Sequence, residues 1–305
     1  MKNQNGISTK NVLTIFTIII GIIIIMPIIF IFIESINLND FPSSFSNYFN
    51  STFLLVFYTC TISIILAVIP AWIITYHEIR YKSILDLLLI LPLSIPGYIM
   101  AFTYADILGY NGYLDFLLQT YLNTKLNLDV LSIEWLSLFL ALSLYPYIYT
   151  TTRISFSLIG STYLNLSKTL GLSKIKTFFK IILPLSITAI LSGSLLVIME
   201  ILNEYGAANY FGIKTFSVGI FKHWFSMDDK SSAIIFSLFL LIIVFIMISG
   251  LKYLKRNDEK IKYHIKTSPF IYQKKHTNKK MTINLLSFQL KKEILSRVIQ
   301  TKSHY

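Results

Sequence analysis

The sequence has few of the residues that catalytic and metal-binding chemistry usually needs. It contains a single cysteine, Cys60, so no disulfide can form within the chain. No two of its five histidines lie four residues apart, the spacing that places two metal ligands on one helical face. No glycine is followed by lysine, which excludes the phosphate-binding P-loop of an ATPase. If ATP drives this protein, another subunit must bind it.

Charge is also scarce. Only 14% of the 305 residues are charged, whereas about a quarter are charged in an average soluble domain. Hydrophobic residues make up 54% of the chain, and the mean hydropathy is +0.63. The apolar residues are grouped into runs of about 20, the length that crosses a bilayer as a helix. These runs indicate a membrane protein.

The net charge of +12 is concentrated at one end. From Lys252 onward there are 14 Lys and Arg against 3 Asp and Glu, so the rest of the chain is almost neutral. A basic tail favours contact with anionic lipid, and we expect no nucleic-acid partner. Two structures remain open for the tail, a disordered segment and a short amphipathic helix. The helix is suggested by apolar residues that recur every four positions, Leu286, Leu290, Ile294 and Val298.

The apolar runs predict an all-α membrane domain of six transmembrane helices over residues 1–256, followed by the tail at 257–305. The first run is too long and too uniformly apolar for a cleaved signal peptide, so we expect it to remain as a helix. The third is broken by Pro92, Pro96 and Gly97. Carbonyls freed by such breaks must face protein or water, which leaves a substrate pathway and an ordinary kinked helix as alternatives. The six predicted spans are residues 12–33, 51–76, 87–105, 135–152, 181–199 and 231–251.

Lys and Arg in the loops predict the orientation, because cytoplasmic loops carry an excess of both. With both termini in the cytoplasm, the three segments placed inside carry nine basic residues and the three placed outside carry four. The segment 153–180 then faces the cytosol. The inner segments are residues 1–11, 77–86 and 153–180, and the outer ones are 34–50, 106–134 and 200–230.

Local patterns divide the segment 153–180 into two short helices around Gly171. That glycine can adopt the left-handed conformation that ends a helix, and Ser173 can cap the next one. On residue patterns alone, the default function of this basic amphipathic segment is an interfacial anchor. The predicted apolar face after the turn consists of Ile175, Phe178, Phe179 and Ile182.

The spacing from Gly171 through Ile181 to Leu183-Pro184 resembles the Gly-x9-Ile-x-Leu-Pro part of the cytoplasmic signature of ABC-importer permeases. The resemblance implies that 153–180 is a coupling loop that docks on an ATPase subunit. The family's signature begins Glu-Ala-Ala six residues before the glycine, where this chain keeps only the small third residue. The implied coupling residues are Asn165, Leu166, Ser167, Leu170, Gly171, Ile175, Ile181, Leu183 and Pro184.

Two further stretches, "LPLSIPGYIMAFTYADILGYNG" at 91–112 and "MEILNEYGAANYFGIKTFSVGIFKHWFSMDD" at 199–229, resemble ferric-iron permeases of the same importers. The resemblance implies a type I ABC importer permease fold in the inner membrane, no catalysis and no cofactor in this chain. Implied partners are ATPase subunits, an external binding protein and a second permease half. Those permeases usually fuse two six-span halves, so we expect this chain to correspond to the first half. A natural half-permease and a truncated one both remain open.

Glu200 and Glu204 are the candidate substrate-pathway carboxylates, together with Pro92, Pro96 and Gly97. Glu200 and Glu204 are four residues apart, which places both on one face of a helix near the outer boundary of the bilayer. Carboxylate oxygens suit a hard cation such as Fe3+, so the pair is a tentative metal site. The alternative is two solvated interfacial carboxylates. Solvation at span ends is likewise the interpretation for Asp86, Asp106 and Glu134.

Several alternatives to an iron permease remain at this stage. An ABC permease for thiamine, a polyamine or an oxyanion would show the same coupling loop. A secondary transporter would need ionisable residues inside its spans, and these spans are nearly free of them. A non-transporting scaffold would not associate with an ATPase. The aromatic residues after Gly206 predict an interfacial belt, whereas the family resemblance implies contact with a binding protein.

Overall fold

We describe a computed structural model of the chain at residues 9–36, 41–124, 128–169 and 171–267. Within these ranges the secondary structure is helical, with turns between the helices and no strand. The helices are α1 Thr9–Ile36, α2 Phe45–Tyr76, α3 Lys82–Ile90, α4 Gly97–Leu108, α5 Tyr113–Leu122, α6 Ile133–Thr169, α7 Lys174–Thr177, α8 Leu183–Leu185, α9 Ile187–Asn203, α10 Gly206–Tyr210, α11 Phe216–Phe221 and α12 Lys230–Thr267. A 3-10 turn extends α3 at Leu91–Ser94, and π turns follow α7 at Phe178–Ile182 and α11 at Lys222–Ser226.

The helix α6 is the centre of the bundle. It packs most extensively against α2, then against α9 and α4. Large side chains of α6, among them Phe139, Tyr149 and Phe156, are completely buried in these contacts. The hydroxyl of Tyr76, at the end of α2, donates a hydrogen bond to the carbonyl oxygen of Phe156 at 2.7 Å. The core therefore lies along α6.

Gly193 sets how closely α9 approaches α6. A Cβ at this position would lie 2.7 Å from the Cα of Ile148 and 2.5 Å from Oγ1 of Thr151. Both distances are shorter than real Cβ contacts, so the two backbones can pack this tightly only around glycine. Small residues have this function at helix interfaces in membranes, where dispersion forces reward close backbone contact.

Three helices in the described chain are long and apolar enough to cross a membrane: Val12–Ile36, Phe45–Tyr76 and Lys230–Arg256. Two bent helix pairs raise the number to five if each pair counts as one crossing. The 37-residue α6 contains the predicted fourth span but is not among these candidates, because its tyrosines and hydroxyl residues make it less apolar. Six spans and cytoplasmic termini therefore stay predictions.

The predicted third span, 87–105, is two helices and not one. The pieces Lys82–Ser94 and Gly97–Leu122 meet at an angle of 93°. The bend follows from Pro96, which has no N–H to donate and forces the preceding Ile95 into an extended conformation, with φ −104° and ψ 121°. The sequence predicted the break but not its angle.

The predicted fifth span, 181–199, is bent as well. Lys174–Leu185 and Ile187–Asn203 meet at 65°, with Ser186 at the corner. The backbone of Ser186 has φ −104° and ψ 2°, outside the helical region, and its side chain is completely buried. Its hydroxyl lies 3.1 Å from that of Ser155 on α6, which holds the corner against the central helix.

The chain divides into two units, Met1–Leu251 and Lys252–Tyr305. In the first unit, α1 exposes its apolar side chains along its whole described length, as a lipid-facing helix does. In the second, the described residues form the last turns of α12, which ends at Thr267. The tail segment around Leu286–Val298, for which a disordered segment and a short amphipathic helix were both open, lies outside the described residues.

Candidate functional site

The segment predicted to couple to an ATPase begins as the end of α6. The prediction of a separate short helix before Gly171 is wrong, because residues 153–169 contain no proline and α6 continues through them to Thr169. Gly171 has φ +70°, the left-handed conformation that the sequence predicts. The amide of Leu172 donates to the carbonyl oxygen of Ser167 at 3.0 Å, the bond that closes a glycine-terminated helix.

Ser173 then starts the next helix, as predicted. Its hydroxyl oxygen accepts a hydrogen bond from the amide of Lys176 at 3.4 Å, and the hydroxyl of Thr177 donates to the carbonyl of Ser173 at 3.0 Å. Caps at both sides of Gly171 therefore fix the angle between α6 and α7. We call residues 171–182 the coupling corner.

The apolar residues of the coupling corner do not form the single face that the sequence predicted. The π turn at Phe178–Ile182 widens the helix, so its residues do not follow the regular helical period. Phe178 packs on Trp72 of α2, with ring centroids 5.1 Å apart, and on Phe156 of α6. Ile175 and Phe179 point away and are 64% and 60% exposed. The corner is thus anchored to two helices and presents two large apolar side chains outward.

The other predicted coupling residues precede Ile175 or follow Phe179 in the sequence. Asn165 and Leu166 belong to the α6 backbone, and Ser167 is buried. Ile181 and Leu183 are half-buried and Pro184 is exposed at the start of α8. Leu170 lies outside the described residues. The coupling role of all of them stays a prediction.

Asp86 is not the solvated boundary charge that the sequence suggested. Its Oδ2 lies 2.6 Å from Nη2 of Arg153, and its Oδ1 accepts a hydrogen bond from the hydroxyl of Tyr149 at 2.6 Å. The carboxylate therefore ties α3 to α6. Tyr149 is 63 residues away in sequence, and no local pattern around Asp86 signals either partner.

We expect the Asp86–Arg153 pair to show a coupling energy of about 1 kcal/mol. The Arg153 side chain is 37% exposed, so solvent screens the attraction and the value stays near that of a surface pair. A double-mutant cycle with Asp86→Ala and Arg153→Ala, read by denaturant unfolding in detergent micelles, measures it. A control cycle of Asp106→Ala with Arg153→Ala should give no coupling. Equal values in the two cycles would contradict the pairing.

Glu200 lies in the last turn of α9, and Glu204 is the residue that ends this helix, directly after Asn203. The backbone of Glu204 is already extended, with φ −73° and ψ 104°. Glu200 is exposed on the last turn of α9, whereas Glu204 is half-buried. A pathway or metal role for this pair stays a prediction.

The carboxylate of Glu204 is hydrogen-bonded at the start of α10 and lies close to the start of α4. Its Oε1 accepts a hydrogen bond from the amide of Ala207 at 2.9 Å, in the first turn of α10. Its Oε2 lies 3.6 Å from where a Cβ of Gly97 would be, at the first residue of α4. A carboxylate oxygen is a favourable acceptor at the start of α10, because amide groups at a helix start have no partner within the helix.

The bend at Pro96 and Gly97 packs directly on α6. A Cβ at Gly97 would lie 3.2 Å from Cδ2 of Leu140. The carbonyl oxygen of Ile95, freed by the break, accepts a hydrogen bond from the hydroxyl of Ser143 at 3.1 Å. This carbonyl faces protein, which favours a packing kink here, and Pro92 lies in the preceding 3-10 turn. A pathway role for these residues stays a prediction.

Within the described part of the chain, no three His, Cys, Asp or Glu side chains lie close enough together to hold a metal ion. A metal site built on Glu200 and Glu204 would therefore need ligands from outside these residues. Since one Glu204 oxygen is already engaged by Ala207, the described geometry favours a structural role for Glu204.

We expect Glu204→Ala to lower the free energy of unfolding by about 1–2 kcal/mol, because it removes a charged hydrogen-bond acceptor from a helix start. Glu200→Ala is the matched control and should change it by less than about 0.5 kcal/mol, as exposed substitutions usually do. Denaturant unfolding of the purified chain in micelles compares the two. Equal losses for both variants would contradict the structural role.

The aromatic residues after Gly206 separate into two groups. Phe211 and Phe216 are buried in the protein. Within 206–226, Tyr210, Phe221, Trp224 and Phe225 are exposed, so these four can meet lipid or a partner. Nearby, hydrogen bonds from Ser232 and from His223 hold the pKa of Asp229 below its ordinary value.

Comparison with protein families finds one match. The profile of the family described as "Binding-protein-dependent transport system inner membrane component" matches residues 61–257. The match includes α6, the coupling corner, α9 and most of α12. It covers well over half of the chain.

Curated relatives differ in the substrates that their names give. The sulfate transport system permease protein CysT of Salmonella typhimurium is 27% identical over 51% of this chain and 55% of its own length. The Fe(3+)-transport system permease protein FbpB 2 of Haemophilus influenzae is 23% identical over 78% and 45%. The molybdenum transport system permease protein ModB of the same organism is 28% identical over 48% and 62%. The chain spans about half the length of the curated relatives it matches.

A solved structure shares the fold. A chain of a bacterial ABC transporter involved in the import of the acidic polysaccharide alginate superposes with a TM-score of 0.64. The superposition covers 82% of this chain and 96% of that chain, at 13% sequence identity. At this identity the likeness shows the fold alone, an all-helical type I ABC permease architecture.

Proposed function

The chain belongs to the family of inner membrane components of binding-protein-dependent transport systems, and from that premise we propose that it is the permease subunit of an ABC importer. It is a multi-pass protein of the cytoplasmic membrane. The proposed partners are two ATPase subunits, an extracytoplasmic binding protein, a second permease half and membrane lipid. ATP is hydrolysed in the ATPase subunits, and this chain catalyses no reaction.

The observation that carries the proposal is the coupling corner. A surface that docks a partner needs apolar anchors on a rigid support, since anchors in the centre of an interface provide most of its binding energy. Ile175 and Phe179 are such anchors. Their support is rigid because hydrogen bonds close the turn on both sides of Gly171 and because Phe178 is packed on α2 and α6.

The proposed mechanism follows from the contacts of that corner. A push on α7 by a closing ATPase acts on α2 and α6 through Phe178. It acts on α9 through the bent connection at Ser186. Because α4 and α9 pack against α6, the push would reorient the bundle between outward-open and inward-open states.

For the substrate we propose two candidates, ferric iron and an oxyanion. The resemblance of residues 91–112 and 199–229 to ferric-iron permeases favours ferric iron, and one relative carries Fe(3+) in its name. Other relatives are named for sulfate and molybdenum, and these names favour an oxyanion equally. None of these relatives is named for thiamine or a polyamine, the other substrates that the sequence left open.

Co-purification tests the subunit assignment. The chain is co-expressed with its cognate ATPase and binding protein, purified through a tag on the permease, and assayed for ATP hydrolysis with and without loaded binding protein. We expect a stable complex whose ATPase activity rises several-fold when loaded binding protein is added. A chain that retains no ATPase, at normal yield of folded permease, would contradict the assignment and favour a scaffold.

A further inference from the structure

A cavity of about 390 Å³ lies beside the first turns of α2, outside the coupling corner, and its lining does not include Glu204. Its other walls come from α10, the turn after it, α11 and the π turn Lys222–Ser226. These elements belong to 200–230, the segment that the distribution of basic residues predicts to be external. The cavity is therefore placed where a solute arriving from outside would meet the chain.

The charged residues of the cavity wall are two lysines, Lys214 and Lys222. Neither makes an ion pair with any described residue. Asn209 adds an amide to the wall, and the described lining includes no Asp or Glu. The nearby carboxylate of Asp229 is engaged by His223, at 3.1 Å, and by the amide of Ser232. Positive charge in this cavity thus has no counter-ion among the described residues.

Tyr48 is a third donor and is fixed in place. Only 3% of this residue is exposed, although it lines the cavity. Its ring packs on Phe236, with centroids 4.8 Å apart, and a Cβ at Gly219 would lie 3.0 Å from its Cε1. Its hydroxyl makes no hydrogen bond within the part of the chain that the structure describes. A phenol held at a cavity wall without a partner in the protein can donate to a ligand or to water.

Aromatic rings form the rim. The rings of Tyr205 and Phe221 lie 4.4 Å apart, and Phe225 stacks on Phe221 at 5.8 Å. Both lysine side chains are exposed, so they can reach an ion at the mouth of the cavity, and hydrogen bonds made by a charged donor are stronger than neutral ones. The volume leaves room for bridging waters around a small ion.

We propose that this cavity binds an inorganic oxyanion of the sulfate or molybdate type as it enters the permease. The inference rests on the proposed function and deepens it, because it names the substrate class. Lysine ammonium groups and a phenol supply donors, which oxyanion oxygens accept. A free Fe3+ ion would meet two unpaired positive charges and no carboxylate, and like charges repel.

The test measures oxyanion binding directly on the permease–ATPase complex, without the binding protein. Equilibrium dialysis with radiolabelled sulfate and with molybdate gives a dissociation constant for each variant. We expect saturable binding of at least one oxyanion, weakened about tenfold by Lys214→Gln or Lys222→Gln and about threefold by Tyr48→Phe. Lys214→Arg should bind nearly as well as the natural chain. Lys230→Gln removes a neighbouring charge that does not line the cavity and should bind equally well.

The outcomes separate this inference from the proposed function. Oxyanion binding that is unchanged in the lysine variants overturns the inference, and so does ATP-dependent uptake of ferric iron by a complex that binds no oxyanion. Variants that lose affinity for the binding protein but keep oxyanion binding would assign the lysines to the docked protein, which also overturns it. In each of these cases the permease assignment stands. That assignment fails on a different result, the lack of an associated ATPase.

Discussion

Replacing Gly193 by leucine should abolish the stable fold of the membrane domain. Because a single added carbon would already overlap the Cα of Ile148 and the Oγ1 of Thr151, the side chain cannot be accommodated by a rotamer change. The backbones of α9 and α6 must separate, and with them the contacts at the centre of the bundle. Overpacking of a core by a few methylenes costs about 1–3 kcal/mol, and forcing two backbones apart costs more. Against a total stability of about 5–15 kcal/mol, this is a large fraction.

The measurement is thermal unfolding in detergent micelles, together with the yield of monodisperse protein. Gly193→Ala should show a smaller loss in the same direction. Gly250→Leu is the matched control, since no atom lies within 4 Å of a Cβ at that helical glycine, and it should unfold at the temperature of the natural chain. A Gly193→Leu protein as stable as the Gly250→Leu protein would show that α6 and α9 do not pack as described.

Ile175→Asp should disconnect the permease from its ATPase while leaving the permease folded. The side chain is 64% exposed, and substitutions at such positions usually change stability by less than about 0.5 kcal/mol. If Ile175 is a central anchor of the docking surface, its loss costs about 2 kcal/mol or more, and so weakens association by about 30-fold. Stimulated ATPase activity should fall with it.

Association is measured by titrating labelled ATPase onto the permease in micelles. Phe179→Ser should show the same loss, because that side chain is the second exposed anchor. Ile175→Leu keeps an apolar anchor and Lys176→Gln changes only an exposed charge, so both should bind the ATPase nearly as well as the natural chain. Full ATPase affinity in both Ile175→Asp and Phe179→Ser would place the docking surface elsewhere.

Features that depend on neighbouring residues were predicted from the sequence. The left-handed conformation of Gly171 and the cap at Ser173 follow from local backbone chemistry, and both are present. The break at Pro96 likewise follows from the missing amide of proline. Its angle of 93° could not be predicted, since it depends on how Gly97 and Ile95 fit against α6.

Features that depend on distant residues were missed or predicted wrongly. Asp86 has no local sign of its pairing with Arg153, because a salt bridge between two helices is decided by how they pack. The inward position of Phe178 beside the outward Phe179 results from a π turn, which a regular helical period does not represent. The extended backbone of Glu204 was not predicted, because its local sequence does not mark the last residue of α9.

The most direct test of the permease assignment is uptake by proteoliposomes that contain the chain, its second half and the ATPase, with the binding protein added on the outer side. Radiolabelled sulfate, molybdate and ferric iron are offered in turn, with ATP inside the vesicles. We predict that one of these solutes accumulates only when ATP and binding protein are both present, and that Ile175→Asp abolishes the accumulation. Accumulation that proceeds equally well without ATP would contradict the assignment and indicate a secondary transporter.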